Sequence, residues 1–370
     1  MSVLKSRPVL RWLVPVTAVA TVIGGGAALG TFAAQAEPSL PPRTAAQLLV
    51  DLQTSRLEGL SGTVVQRADL GLPPLAGLVG GDSLTGLLTG THTLRVWHSG
   101  PDRQRVALLD TLGEQDVIRN GRDVWTWNSR TNTATHRTLP AGDGEARAPE
   151  LPATPQEAAG QALAAIDPST EVSVGRSATV AGRDAYELVL APRDAASLVH
   201  QVRIAIDARE HVPLRFEVFA DGSDQPAFEM AFTQVSYARP DADQFTFNPP
   251  PGAKVTEETF GERPGGAREK RADGQRPDVR AVGESWATVV VARLDGAGTP
   301  AGRGGAPATG AGRDGAGEAA ALLGALPAVS GDWGSGRLFT GKLFSVLLTD
   351  DGRLIAGAVT PERLYEVARG

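Results

Sequence analysis

The sequence predicts an α+β protein dominated by antiparallel strands, with a small α+β unit at its C-terminal end. Three observations carry this expectation. Between Thr91 and Phe247, short segments alternate apolar and polar residues with a period of two. That spacing sets one strand face on a core and the other toward water. Turn signals such as Gly100-Pro101-Asp102 and Asn120-Gly121 separate the segments. Only a few stretches repeat with helical spacing, and these open on capping residues.

Taken in order, Ala45, Leu48, Leu49, Leu52 and Leu57 recur near helical spacing, which predicts an amphipathic helix over Thr44–Gly59 capped by Thr44. Strands follow at Thr91–His98, Arg103–Leu109, Asp116–Arg119, Asp123–Asn128 and Thr133–Leu139. Asn120-Gly121 is expected to form a tight hairpin with positive φ at both positions. Residues 141–155 read as a loop, and Thr154-Pro155 opens a helix to about Ile166, with proline at its first position.

A second meander begins at Glu171. Its apolar faces are Tyr186, Leu188 and Leu190; Val202, Ile204 and Ile206; Leu214, Phe216 and Val218; and Phe228, Met230 and Phe232. Arg203, Arg215, Glu217 and Glu229 fall on the opposite, wet faces. Residues 257–281 are charged and poor in apolar residues and read as a linker. The C-terminal unit, 282–370, is expected to hold a strand at Trp286–Ala292, a Gly/Ala-rich loop over 295–317 and a helix at Glu318–Leu326. Strands at Leu338–Leu348 and Arg353–Val359 then lead to a last helix capped by Thr360.

The N-terminus reads as an export signal. Lys5, Arg7 and Arg11 precede an uncharged run from Trp12 to Ala36, which ends in the small-x-small pattern Ala34-Gln35-Ala36. Residues 1–36 are therefore a signal peptide cut after Ala36 or an uncleaved membrane anchor. The run approaches spanning length, but Pro15 and Gly24-Gly25-Gly26 weaken it as a helix. Both alternatives put the folded part outside the cytoplasm, secreted or tethered to the outer face of the cytoplasmic membrane. With no cysteine among 370 residues there are no disulfides, thiolate ligands or lipoprotein acylation site. Losing the three N-terminal cations takes the formal charge from −6 to −9, which argues against nucleic acid as a partner. The Arg, Ala and Gly bias suits a high-GC bacterial genome.

Catalytic and metal motifs are weak. Gly336–Lys342 has the spacing of a phosphate-binding loop, but Leu343 stands where a hydroxyl is needed. Gly283-Glu284-Ser285-Trp286-Ala287 faintly resembles a nucleophile elbow, yet the last histidine, His211, precedes it. His92, His98, His136, His200 and His211 show no ligand spacing. Asp350-Asp351-Gly352 reads as a hairpin turn rather than a calcium loop. Trp125 and Trp127 share a strand face, as packing residues or a sugar platform. The expectation is a non-enzymatic protein with no cofactor, no catalytic residue and no metal.

The order of parts over about Thr44–Val255 resembles the LolA-like lipoprotein-carrier superfamily, particularly its two-domain MucB/RseB-type members. The resemblance rests on the helix leading to Gly62-Thr63-Val64-Val65-Gln66, on Gly100–Val106 and on Asn120-Gly121-Arg122-Asp123-Val124-Trp125-Thr126-Trp127. Val180–Tyr186, Ile206-Asp207, Val212–Arg215 and the closing Phe245, Pro251-Gly252-Ala253 follow in the family's order. It implies a strongly curved antiparallel half-barrel over 44–256, plugged by helices, whose apolar interior receives a lipid or lipoprotein acyl chain.

Residues chosen by apolarity to line that space are Leu94, Val96, Leu188, Leu190, Ile204, Ile206, Phe216, Val218, Met230 and Phe232. The Gly/Pro-punctuated stretch Leu70–Leu88 is a candidate lid through Leu72, Leu75, Leu78, Val79, Leu84, Leu87 and Leu88, or an ordinary connection. Three roles follow. The first is a carrier or sensor of an acyl chain at the cytoplasmic membrane surface, with a transporter as possible partner. The second is an RseB-like regulator contacting a membrane anti-sigma factor. The third is a structural envelope protein with a filled core.

Overall fold

The period-two segments do become strands, and they join into one continuous sheet. A computed structural model describes residues 38–55, 57–72, 89–110, 113–139, 154–164, 166–258, 279–293 and 326–370. Ala34 and Ala36 of the expected cleavage site lie outside the described residues. So do Leu75, Leu78, Val79, Leu84, Leu87 and Leu88 of the candidate lid, the loop 295–317 and the expected helix except Leu326. Leu72 is described and half-buried.

The first helix, α1 (Ala45–Thr54), starts in a capping box: Gln47 N–H donates to Thr44 Oγ1, and Thr44 N–H donates to the Gln47 side chain. It is shorter than the expected Thr44–Gly59. Gly59 already begins strand β1, at a spot where a Cβ would sit 2.5 Å from the Cα of Arg239. The first meander is β1 (Gly59–Asp69), β2 (Thr89–Ser99), β3 (Arg103–Asp110), β4 (Gly113–Asn120), β5 (Asp123–Asn128) and β6 (Thr133–Thr138). At the β4–β5 hairpin the turn residues are Gly121-Arg122, because Asn120 pairs with Asp123. Only Gly121 has positive φ, at 62°. A glycine at the first central position is what a type II′ turn needs, so the expected two-residue Asn-Gly turn is displaced by one.

Helix α2 (Pro155–Ala164) is capped by Thr154, whose hydroxyl accepts from Glu157 N–H at 3.1 Å. The second meander is β7 (Thr170–Val174), β8 (Ala178–Val180), β9 (Arg183–Pro192), β10 (Val199–Asp207), β11 (Pro213–Ala220) and β12 (Pro226–Ser236). Then comes a 3-10 turn at Ala242–Phe245 and the strand β13 (Lys254–Glu258). Glu257 and Glu258, expected in the linker, thus pair beside His136 and Arg137 as the parallel edge of the sheet. The strand order is β13-β6-β5-β4-β3-β2-β1-β12-β11-β10-β9-β7, with β8 on β9. The two meanders meet at the antiparallel β1–β12 pair, and the sheet stays open, with β13 and β7 at its edges.

The C-terminal residues build a second sheet, in the order β14-β15-β19-β18-β17-β16. Its strands are β14 (Val279–Val282), β15 (Val289–Arg293), β16 (Ala328–Gly331), β17 (Gly334–Thr340), β18 (Ser345–Thr349) and β19 (Arg353–Gly357). Two expectations are corrected here. The single strand expected at Leu338–Leu348 is a hairpin, turned where Gly341 N–H donates to Phe344 C=O and the Phe339 and Phe344 rings meet at 5.6 Å. The strand expected from Trp286 begins only at Val289, after a 3-10 turn at Ser285–Ala287 in which Ser285 has a φ of 52°.

Helix α3 (Pro361–Arg369) packs Leu364, Val367 and Ala368 against Val289, Val291, Leu347 and Ile355. Thr360 sits at its N-cap position without a side-chain cap bond. Its N–H instead donates to Ala196 C=O, beside a bridge between Ser197 and Val359 that ties the two sheets. Lys342 adds a second tie, through its N–H to Leu70 C=O and its Nζ to Asp69 Oδ2 at 2.5 Å.

Candidate functional site: one apolar face of the large sheet

In an antiparallel pair, residues opposite each other carry their side chains on the same face, so register decides which residues meet. Leu94 lies opposite Val64, and Val64 lies opposite Phe232. Met230, two residues from Phe232, lies opposite Phe216, then Ile204, then Leu188. Val218 continues through Val202 to Leu190. Val96 and Ile206 share the face as period-two neighbours of Leu94 and Ile204. All ten residues selected from the sequence therefore lie on one face, across β2, β12, β11, β10 and β9.

That face is buried. Leu188, Leu190, Ile204 and Ile206 are at 0 % exposure. Leu94, Val96, Met230, Phe232 and Phe216 are also buried, and Val218 is half-buried. Two clusters divide them: Leu94, Val96, Met230 and Phe232 in one; Leu188, Leu190, Ile204, Ile206, Phe216 and Val218 in the other. The second cluster is covered by α1 through Leu48 and by α2 through Ala158 and Ala159. A residue outside the prediction, Tyr186, fixes the approach to α1: its hydroxyl donates to Pro41 C=O at 2.9 Å, with the Arg43 guanidinium over its ring. Trp286 and Leu343 of the C-terminal unit also pack on this cluster, and Trp286 Nε1 donates to Thr170 Oγ1.

The opposite face is not simply wet, as the alternation predicts. Glu187 and Glu217 are buried, and Arg215 bridges both, at 3.2 Å and 3.1 Å. Arg67 pairs with Glu229 at 2.8 Å, and Arg203 stacks over Phe219. Long charged stems cover one another here, so the carboxylates are shielded from water. Burial pushes the Glu217 carboxyl above its ordinary value.

Farther along, at β3–β6, this same opposite face becomes a mixed aromatic and ionic layer. Trp125 and Trp127 meet Phe247 at 5.2 Å and 5.8 Å, and Trp125 stacks on His136 at 4.3 Å. They are packing residues of the return segment that carries Phe245 and Phe247. His136 bonds Glu257 at 2.7 Å and Asp123 at 3.1 Å. Burial pulls its pKa down, but the two carboxylates outweigh burial and hold it above the ordinary value. Asp116, buried beside Arg105 at 2.7 Å, is pushed up to about 6, mainly by burial.

His92 bonds the Thr89 carbonyl, and burial lowers the pKa of His98. Among the described residues no group of three or more His, Asp or Glu is placed to share a metal ion. No described helix is long and apolar enough to cross a membrane.

Residues 89–251 match the family model of the MucB/RseB N-terminal domain. No curated protein matches the chain. Among solved structures, MucB in complex with MucA(peri) is similar at 15 % identity, over 88 % of this chain and 97 % of that one, with a TM-score of 0.44. The MucA/MucB complex of Pseudomonas aeruginosa gives 18 % identity over 88 % and 96 %, with a TM-score of 0.43. A LolA superfamily protein from Nitrosomonas europaea gives 13 % over 56 % and 99 %, with a TM-score of 0.23. Residues 89–251 thus resemble the MucB/RseB N-terminal domain.

Proposed function

We propose that the chain is an exported, non-enzymatic protein that binds a lipid or lipoprotein acyl chain on the apolar face of its large sheet, as a carrier or sensor. The MucB/RseB type is a binding and regulatory one, and a sheet curved into a half-barrel around α1 and α2 is the form in which such a face would work. The observation that carries the reading is the single register-linked face holding Leu94, Val96, Phe232, Met230, Phe216, Ile204 and Leu188. In the present packing these side chains are buried against one another, α1 and α2. An acyl chain would enter by displacing side chains or shifting α1 and α2, exchanging one apolar contact for another. Each methylene it buries would add roughly 0.8 kcal/mol. The apolar stretch Leu70–Leu88, which joins β1 to β2 in sequence, is kept as the candidate lid.

Native mass spectrometry of the protein purified from its own host tests this. The expected result is a bound lipid that leaves on organic extraction. Consistently apo protein, with no rise in melting temperature when lipid is added, would overturn it and favour a structural protein with a filled core.

A second reading, regulation through a membrane anti-sigma factor, is favoured by the match to the MucB/RseB domain. It expects sigma and anti-sigma genes beside this one and co-purification of the anti-sigma factor's extracytoplasmic part. Lipoprotein-export or transporter genes in that position would favour carriage.

A further inference from the structure

We infer that the C-terminal sheet holds a binding site for a phosphate-type dianion, formed by Arg280, Arg293 and Arg353. Register places these residues together. Arg280 lies opposite Val291, Val291 lies opposite Ile355, and Arg293 lies directly opposite Arg353. All three guanidiniums therefore rise from the face that carries α3, where Val291 and Ile355 join its hydrophobic cluster. They line a pocket of about 270 Å³ together with Val291 and Asp351.

The charges in this pocket are unbalanced. Among the described residues three cations face one carboxylate, a formal excess of two positive charges. That carboxylate is already engaged: Asp351 accepts from Arg353 Nε at 2.8 Å and from the Thr349 hydroxyl. Arg353 is doubly held, because its Nη1 also donates to Ala368 C=O at 2.8 Å. Arg280 and Arg293 are exposed, and neither has an ion-pair partner among the described residues. Like charges directly opposite on paired strands are destabilising, so Arg293 and Arg353 repel each other unless an anion lies between them.

Guanidiniums present planar forks of donors that suit phosphate oxygens, and such charge-assisted bonds are the strong ones. One fixed and two free forks, with an excess of two charges, match the doubly charged phosphate monoester. The volume, about 270 Å³, holds the phosphate together with a substituent of modest size. Inorganic phosphate and a phosphorylated headgroup share this chemistry.

The test titrates inorganic phosphate into the full chain and, separately, sediments it with phosphatidylcholine vesicles with and without phosphatidic acid. The variants are Arg293→Gln and Arg280→Gln, with Arg67→Gln as a distant control. Phosphate should raise the melting temperature, and each pocket variant should weaken binding about tenfold or more, the size of one charged hydrogen bond. Without phosphate, both variants should melt at or above the parent, because a repelling charge is gone.

Binding to phosphatidic acid vesicles alone, lost in both variants, would also support the site and name a headgroup as its source. No response to either probe, or equal losses in Arg67→Gln, would overturn it. So would a response to an acidic peptide with none to phosphate.

Discussion

The two ends of the large sheet are built from the same alternating pattern but cover their aliphatic faces differently. At the β9–β12 end, α1 and α2 lie on the aliphatic face, and Leu188, Leu190, Ile204 and Ile206 are fully buried. At the β3–β6 end, Val106 and Leu108 on that face are half-buried, and Val117 is 41 % exposed. There the other face is the closed one, holding Ala107, Asp116, Ile118 and Ala134 under the return through Phe245 and Phe247. Alternation fixes which residues share a face. What lies on that face fixes whether it becomes core.

The largest effects expected come from challenging the helix-covered end. Phe216→Asp should cost several kcal/mol of stability, since it puts a carboxylate into a dry cluster. Leu188→Ala should cost roughly 2–5 kcal/mol by leaving a cavity. Val117→Ala, at the other end, should stay within about 0.5 kcal/mol. Urea denaturation of the three variants measures this, and equal costs for Leu188→Ala and Val117→Ala would abolish the contrast.

A smaller effect is expected from pH. Asp116 is pushed up to about 6, so between the ordinary 3.8 and that value the folded protein binds the proton more tightly than the unfolded chain. Its favourable contribution is present below 3.8 and is lost as pH rises through about 6. Glu217, also raised, acts in the same direction at the helix-covered end. Asp116→Asn should therefore flatten, without abolishing, the fall in urea midpoint between about pH 4 and pH 7. An unchanged slope would mean that the buried Asp116–Arg105 pair does not titrate in this range.

The smallest effect concerns the β13 edge. His136 is held above its ordinary 6.5 by Glu257 and Asp123 despite burial. The stability it adds is fully present below 6.5 and lost as pH rises through its folded value. His136→Gln should cost less than about 1 kcal/mol, the range of exposed ion pairs, at about pH 6 and nothing by about pH 9. A cost that stays constant with pH would assign the residue's role to its stacking on Trp125.

Much of this was legible in the residues alone. Period-two alternation identified the strands of the second meander, and the ten residues chosen by apolarity share one face because antiparallel register preserves the alternation from strand to strand. The resemblance carried by Asn120–Trp127 and Val180–Tyr186 lies within or across residues matched to the MucB/RseB domain. The Gly341 hairpin inside Leu338–Leu348 escaped, because an apolar run looks alike whether it is one strand or two. The arginine pocket escaped for a different reason. Arg280, Arg293 and Arg353 are separated by long stretches, and no local spacing announces them.

By itself, the sequence determined the strand and helix types, the shared apolar face, the absence of cysteine chemistry and the family that its central residues resemble. Only the tertiary structure decided that Glu187 and Glu217 are buried, that helices close one end of the sheet and the Phe245–Phe247 return the other, and that three distant arginines converge. Side-chain period is a local property set by backbone geometry. Coverage and charge balance depend on which distant segments arrive, and that is set by pairing register and packing across the whole fold.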